Sequence, residues 1–497
     1  MLSLLLVIPL IGSVAIMMLP SSSSSWGGIS RLGPKQIALS TALINFIVSI
    51  KLWIEFDSNC ERFQFVEEWS RISSFCHVQL GIDGISLLFV ILTTFIMPLA
   101  ILASWSSIPH QNGAFPGALR KYLVTLLILE TILIAVFVVL DLLLFYIAFE
   151  SSLIPMFLLI GIFGGRSRKI HAAYQFFLYT LLGSLFMLLA IAIIVSETGT
   201  TDYQLLALTE FSSSRQNFLW LGLFLSFAVK TPMVPVHIWL PEAHAEANVS
   251  GSVILAGILL KLAGYGFLRY SIGIFPDASQ LFTPLVYSIS VISIVYSSLA
   301  TLRQVDFKKI IAYSSIGHMS VVNLGIFSNS ISGIEGGIFL MLAHGIVSPA
   351  LFIMVTFLYD RHHTRIIKYY RGLVIRMPLF AFLFFIFTLA NVATPLSGNF
   401  VGEFLVFSGA FLTNPLLTAI GAFGMVLGAG YGIWFYNRIC FATLSPYLPK
   451  LGLSDINRRE FHLVLPLLFL VFFMGILPNF FLEPIHLPVS FLIVNAL

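Results

Sequence analysis

The sequence predicts an all-α membrane protein of about 14 transmembrane helices, because the chain is too apolar and too poor in charge for a water-soluble fold. Hydrophobic residues make up 58% of the 497 residues and charged residues only 10%, whereas soluble domains average about 25% charged residues. Apolar runs of about 20 residues, the length of helix that crosses a bilayer, recur along the whole chain. Most of the apolar surface is therefore expected to face lipid.

Fourteen apolar segments are predicted to cross the membrane, with bounds set to within a few residues. In chain order they are residues 2–19, 36–53, 84–104, 122–140, 142–163, 172–195, 218–240, 249–272, 281–300, 310–326, 336–357, 379–411, 416–441 and 461–481. Asp83 and Asp141 each precede a predicted helix and are expected to cap its N-terminus.

Two of these segments are predicted to be discontinuous helices. Residues 379–411 span 33 positions (411 − 379 + 1) and carry Pro395 near the middle, while residues 218–240 contain Pro232 and Pro235. Proline breaks the helical hydrogen-bond ladder, and a break inside a membrane is tolerated only where protein or water satisfies the freed backbone groups. Both breaks therefore predict polar surroundings at membrane depth.

The breaks fall at matching positions, which predicts two inverted five-helix repeats. Residues 122–272 form the first repeat and residues 280–441 the second, and each repeat has its break in its fourth helix. An odd number of spans per repeat reverses the orientation of the second repeat, as in many transporters. Residues 1–121 then hold the first three helices, and residues 442–497 hold a loop and the last helix.

The charges of alternate loops predict how the chain is oriented. The loops between the basic ones are acidic or nearly uncharged, and the positive-inside rule places the basic loops on the matrix or cytoplasmic side. An even number of spans then places both termini on the opposite side. One loop of the basic side, residues 241–248, carries Glu242 and Glu246 and is expected to fold back toward the membrane. The basic loop residues are Arg31, Lys35, Arg120, Lys121, Arg166, Arg168, Lys169, Arg303, Lys308, Lys309, Arg361, Arg365, Lys368, Arg371, Arg376, Lys450, Arg458 and Arg459.

Six ionisable residues within the predicted spans are the candidate site. A charged side chain at mid-depth costs about 2.5–3.5 kcal/mol, so the four Lys and Glu residues together cost about 10–14 kcal/mol unless they are paired or hydrated. A carboxylate stabilises a charged lysine beside it, and histidine titrates near neutral pH. These residue types predict a proton relay across the membrane midplane. The candidates are Glu150, Lys230, Lys261, His318, His344 and Glu403.

Structural explanations of the same residues stay open. Glu150 and Lys230 could form a static ion pair that joins two helices, and Lys261 could bind a backbone carbonyl at the second break. His318 and His344 could be hydrogen-bonded core residues, or they could ligate a haem.

Other functions are excluded by what the sequence lacks. No glycine fingerprint follows a strand, so no dinucleotide is expected on this chain, and the basic residues form no continuous patch for nucleic acid. No zinc motif includes His237 or His244. The cysteines lack metal or iron–sulfur spacing, although Cys60 and Cys76 share a predicted loop and could pair. Any redox chemistry is therefore expected in another subunit.

Three stretches carry a family resemblance. They read FAVKTPMVPVHIWLPEAH at residues 227–244, GSVILAGILLK at residues 251–261 and KKIIAYSSIGHM at residues 308–319. They resemble the core signature of the antiporter-like subunits of respiratory complex I. The stretch VGEF at residues 401–404 is similar to the chain 4 form, which has Glu where related subunits have Lys. Residues 80–86 and 359–362 resemble mitochondrial rather than chloroplast members.

The resemblance implies a role and an environment. It implies that the six candidates form the central hydrophilic axis for one translocated proton, coupled to NADH oxidation and ubiquinone reduction. It implies that NADH, FMN, iron–sulfur clusters and ubiquinone are bound by other subunits. It also implies partners: membrane lipids, the related subunits 2 and 5, and a lateral helix of subunit 5. The expected location is the mitochondrial inner membrane, with basic loops in the matrix and both termini in the intermembrane space.

Two other functions remain as alternatives to proton translocation in complex I. One is a subunit of a multisubunit Na⁺/H⁺ antiporter, which shares this helical core. The other is a structural, non-pumping subunit of complex I. Asn248, Pro349 and Pro395 depart from the usual family pattern without removing any of the six candidates.

Overall fold

The structure is a computed structural model, and it shows a mostly helical chain. Two residues used in the orientation argument, Arg31 and Lys450, lie outside the described residues. The described residues are 1–19, 33–60, 62–71, 76–106, 117–445, 447 and 454–494.

The helices of the first half follow the predicted spans closely. They are α1 (Leu2–Met18), α2 (Pro34–Ile54), α3 (Gly84–Ala103), α4 (Ala118–Val138), α5 (Leu142–Ser151), α6 (Leu153–Gly161), α7 (Lys169–Thr198), α8 (Tyr203–Leu206), α9 (Ser213–Lys230), α10 (Trp239–Glu246), α11 (Val249–Ile254) and α12 (Leu260–Gly266). The π-helical segment Leu255–Leu259 joins α11 to α12, and a second one, Phe267–Ile272, continues α12, so that residues 249–272 form one helical stretch.

The second half contains eight further α-helices. They are α13 (Pro276–Arg303), α14 (Phe307–Ile326), α15 (Ile331–His362), α16 (Pro378–Asn391), α17 (Gly398–Thr413), α18 (Pro415–Cys440), α19 (Arg458–Ile476) and α20 (Asn479–Val494). Two short 3₁₀ helices, Ile367–Tyr369 and Leu373–Ile375, lie between α15 and α16.

The predicted membrane character is confirmed. Within the described residues, ten helical stretches are long and apolar enough to cross a bilayer, and four shorter apolar helices accompany them. The ten are 34–54, 84–103, 118–138, 142–161, 169–198, 249–272, 276–303, 331–362, 415–440 and 458–476.

Both predicted breaks are present. Helix α9 ends at Lys230, and α10 begins at Trp239 beyond Pro232 and Pro235. Helix α16 ends at Asn391, and α17 begins at Gly398 beyond Pro395. Proline explains both, because it has no N–H to donate and its ring disfavours helix in the residue before it.

The acidic segment after the first break is packed against the helix bundle. It forms α10, in which Glu246 is only 4% exposed. Glu242 pairs with Lys309 at 2.5 Å and Glu246 pairs with Arg365 at 3.2 Å. The carboxylates of α10 therefore bind one basic residue in the first turn of α14 and one just after the end of α15.

A β-hairpin was not predicted. Strand β1 (Gln64–Arg71) pairs antiparallel with β2 (His77–Ile82) just before α3. Met1 and Ser3 donate hydrogen bonds to Glu67 on β1, at 2.5 and 3.1 Å. Burial raises the pKa of Glu67, but these hydrogen bonds outweigh burial and lower the pKa below its ordinary value. The hairpin thus anchors the start of α1.

Two further features differ from what was expected. The span expected at residues 461–481 corresponds to α19, which ends at Ile476 before Pro478, and a separate helix that was not expected, α20, follows it. All three cysteines are among the described residues and form no disulfide, so the pairing considered for Cys60 and Cys76 is not present.

Candidate functional site

Lys261 and His344 form the centre of the site. Both side chains are fully buried, and the Lys261 ammonium lies 2.9 Å from Nδ1 of His344. The same ammonium donates a hydrogen bond to the carbonyl of Ala256, five residues earlier in its own helix. Lys261 therefore binds a carbonyl next to the π-helical segment, and the alternative that it binds one at the second break is wrong.

Two glycines bring the helices of Lys261 and His344 together. A Cβ on Gly257 would lie 3.2 Å from Cγ of Pro349, and a Cβ on Gly345 would lie 3.1 Å from the carbonyl of Gly257. Only residues without side chains permit this close approach of the two backbones. The Lys261–His344 contact thus depends on Gly257 and Gly345.

His318 and Glu403 continue the same chain of contacts. The rings of His318 and His344 lie 5.6 Å apart between centroids, and His318 Nδ1 lies 2.9 Å from Glu403 Oε1. Glu403 reaches this position because Gly402 packs directly on α15, where an added Cβ would lie 2.9 Å from Cα of Leu340. Four of the six candidates therefore form one group that joins α12, α15, α14 and α17.

A small cavity adjoins the Glu403 end of this group. Its volume is about 30 Å³, and His318, Glu403, Gly424, Gly428 and Tyr431 are among its lining residues. A water molecule needs roughly 10–15 Å³ of such volume and several polar partners. The cavity can therefore hold water in contact with the carboxylate.

Lys230 and Glu150 lie in a second group. The Lys230 ammonium donates to the carbonyl of Phe149 at 2.8 Å and lies 3.1 Å from the centroid of the Phe149 ring. That carbonyl is available because the helix is interrupted at Ser152, between α5 and α6. Oε1 of Glu150 is buried and has no hydrogen-bond partner. The direct Glu150–Lys230 ion pair considered from the sequence is not formed.

No hydrogen bond or ion pair among the described residues joins Lys230 or Glu150 to the first group. The two histidines of the first group also have one ring nitrogen each, Nε2, that is buried without a partner. A proton path through all six candidates therefore needs water at these positions.

Two buried polar contacts were missed by the sequence analysis. Glu130 on α4 is fully buried, and one carboxyl oxygen accepts a hydrogen bond from Asn45 on α2 at 2.7 Å. Arg269 is 6% exposed and pairs with Asp83 at 2.6 Å. The signal for both was their charge inside an apolar span. Asp83 also caps α3 as predicted, by accepting from the Ser86 amide at 2.9 Å.

The capping role predicted for Asp141 is also confirmed, since it accepts from the amides of Leu143 and Leu144 at 2.9 and 3.1 Å.

No group of three or more His, Cys, Asp or Glu residues suited to a metal ion occurs in the part of the chain that the structure describes.

Comparison with known proteins identifies two matching families. Residues 139–428 match the family described as NADH:quinone oxidoreductase/Mrp antiporter. Residues 4–136 match the family described as NADH-ubiquinone oxidoreductase chain 4, amino terminus. The two matches together cover most of the chain.

Curated relatives match over their full length. NADH-ubiquinone oxidoreductase chain 4 of Mycosarcoma maydis is 54% identical over 497 residues and covers 100% of both chains. The protein of the same name from Arabidopsis thaliana is 54% identical over 498 residues and covers 100% of this chain and 97% of its own.

Solved structures share the fold. A chain in the structure of respiratory complex I from Thermus thermophilus with bound NADH is 27% identical, with a TM-score of 0.88 over 100% of both chains. A chain of the Mrp complex from Dietzia sp. DQ12-45-1b is 17% identical, with a TM-score of 0.83 over 99% of this chain and 97% of that chain. The second likeness shows the fold alone.

Proposed function

The chain belongs to the chain 4 family of NADH:ubiquinone oxidoreductase, and from that membership we propose that it moves protons in the membrane arm of respiratory complex I. It is a subunit of an NADH:ubiquinone oxidoreductase and a multi-pass inner-membrane protein. The observation that carries the proposed path is the chain of contacts from Lys261 through His344 and His318 to Glu403.

The path begins at Lys261. Its ammonium donates to Nδ1 of His344, so a proton that leaves Lys261 arrives on that nitrogen. Imidazole then releases a proton from its other nitrogen, Nε2, because the two ring nitrogens exchange donor and acceptor roles. One proton is thereby passed on while the ring stays in place.

The next step joins the two histidines. Both Nε2 atoms are buried without partners, and the ring centroids are 5.6 Å apart. We assign one bridging water to this gap, since such a water satisfies both nitrogens and passes a proton between them. His318 then delivers a proton through Nδ1 to Glu403, whose carboxylate faces the 30 Å³ cavity.

Glu150 and Lys230 control the supply of protons to this path. Pairing with Glu150 stabilises the charge on Lys230, and separation removes that stabilisation. In the structure no ion pair joins the two residues, and Lys230 lies on the carbonyl and ring of Phe149. Movement of Glu150 toward Lys230 and back is therefore the switch that loads and unloads the lysine.

The proposed architecture places this path at the meeting of two inverted repeats. Residues 122–272 and 280–441 are the repeats, residues 1–121 are the preceding helices, and residues 442–497 are the C-terminal part. The two breaks at the ends of α9 and α16 support this division, because each interrupts the fourth helical span of its repeat. About 14 crossings follow from it.

The surroundings follow from the family. The proposed neighbours are subunits 2 and 5, with a lateral helix of subunit 5 along the flank, and lipids cover the remaining apolar surface. The basic loops lie in the matrix and both termini lie in the intermembrane space, in line with the positive-inside rule. NADH, FMN, iron–sulfur clusters and ubiquinone are placed in other subunits.

Separation of gently solubilised membranes on a native gel tests the assignment. The gel is stained for NADH oxidation, and mass spectrometry locates this chain in it. We expect the chain in the large NADH-oxidising band. Its presence only in a smaller, NADH-inactive complex would contradict the assignment and favour the antiporter alternative. Intact complex with unchanged proton pumping after relay substitutions would instead favour the structural alternative.

A further inference from the structure

An open apolar groove of about 270 Å³ lies between α16 and α18. Phe385 and Leu389 of α16 form one wall, and Ile433 and Tyr436 of α18 form the other. Phe385 is 39% exposed and Ile433 is 50% exposed, so both face outward from the helix bundle. None of the lining residues is charged.

The length of the groove matches one leaflet of a bilayer. It extends along α18 from Gly432 to Phe441, which is about 14 Å at 1.5 Å per residue. The hydrocarbon core of one leaflet is about 15 Å thick. Its inner end is closed because Val392 packs on Gly432, where an added Cβ would lie 2.6 Å from the valine side chain.

The outer end of the groove, near Phe441, is polar, and two arginines are adjacent in the chain to residues at this end. Asn437 lines it; Arg438 is the next residue, and its guanidinium lies 4.9 Å from the centroid of the Trp434 ring, one turn earlier on α18. The Gly372 amide donates to the Phe441 carbonyl at 2.9 Å, which places the loop of Arg371 beside this end. Arg371 and Arg438 are exposed, and neither is in an ion pair with a described residue.

We propose that this groove binds an anionic phospholipid from the leaflet on the basic-loop side. The phosphate lies against Arg438 and the Arg371 loop, and one acyl chain lies between Leu389 and Ile433. Arginine and tryptophan at a membrane interface, next to an apolar slot of acyl-chain length, suit a negatively charged headgroup. The proposal is independent of the proton path.

Photolabelling of the intact, isolated complex tests the proposal. Two phospholipids with the same diazirine-bearing acyl chain are compared, one with a phosphatidylglycerol headgroup and one with phosphatidylcholine. We expect the anionic probe to label residues 385–392 and 432–441 at least threefold more strongly than the zwitterionic probe. The outward face of α7, with Leu182 and Leu189 at 64% and 63% exposure, is the control surface, where both probes label equally.

Substitutions at Arg438 sharpen the test. We expect Arg438→Gln to remove most of the preference for the anionic probe, while Arg438→Lys keeps it because the charge is retained. Equal labelling of the groove by both probes would overturn the proposal. It would also be overturned if benzoylphenylalanine at position 433 formed an adduct with a polypeptide instead of a phospholipid.

Discussion

Replacement of His344 by asparagine separates the hydrogen bond of this residue from its ability to carry a proton. The asparagine Oδ1 takes roughly the place of imidazole Nδ1, which lies 2.9 Å from the Lys261 ammonium. Asparagine can therefore still accept from Lys261, but it cannot pick up and release a proton. Of the substitutions at this position, it disturbs the neighbouring lysine least.

The expected magnitudes differ between asparagine and alanine. Alanine leaves the buried lysine with only the Ala256 carbonyl, and loss of a buried hydrogen-bond partner costs about 1–3 kcal/mol. Asparagine avoids most of this cost. Loss of a group that carries a proton slows the proton-transfer step by roughly 10²–10⁴-fold. Both variants are therefore expected to lose the proton translocation that passes through this chain.

Proteoliposomes that contain purified complex provide the assay. The rate of NADH oxidation and the rate of proton uptake are measured together, and their ratio is compared with the unmodified enzyme. His462→Asn is the matched control, because His462 is exposed on α19 and its Nδ1 contacts only the carbonyl of Arg458. A His344→Asn enzyme with an unchanged ratio and normal assembly would refute the role of this histidine.

Three further predictions address other parts of the structure. Lys230→Gln keeps a donor for the Phe149 carbonyl but carries no charge, so proton uptake per NADH is expected to fall, or turnover to stop, in the same proteoliposomes. Asp83→Asn leaves the Arg269 cation buried without its anion, which costs about 3–5 kcal/mol and should lower the unfolding temperature of the complex in calorimetry. Burial raises the pKa of the Cys76 thiol to about 11, so its alkylation at pH 8 should be slow and should speed up as the pH rises toward 11, as mass spectrometry of alkylated peptides would show.

The sequence was sufficient for features that depend on local chemistry. Pro232, Pro235 and Pro395 placed both breaks, because proline has no N–H for the helical hydrogen-bond ladder and disfavours helix in the residue before it. The charges of Lys261 and Glu403 within apolar segments made them candidate site residues, and the structure places both in one group of contacts. Each of these conclusions needed only the residue and its immediate neighbours.

Features that depend on distant packing were not predictable in the same way. The Lys261–His344 contact relies on the approach of Gly257 to Gly345, which are far apart in the chain. The contact of Lys230 with the carbonyl of Phe149, in place of an ion pair with Glu150, likewise joins residues that are far apart in the chain.

Two errors have a different origin. The hairpin was missed because its first strand carries Glu67 and Glu68 and reads as a polar loop. Helix α20 was missed; it contains Pro484 and Pro488, and proline is uncommon in the interior of a helix.

The central claim, that Lys261 and Glu403 lie on one proton path, is tested most directly by a double-substitution experiment. Proton uptake per NADH is measured for Lys261→Gln, Glu403→Gln and the combined variant, each in assembled complex. If both residues lie on one path, blocking the path at a second point removes no further proton translocation. The account therefore predicts the same loss of proton uptake per NADH in all three enzymes. Losses that add in the combined variant, or a wild-type ratio in either single variant, would contradict it.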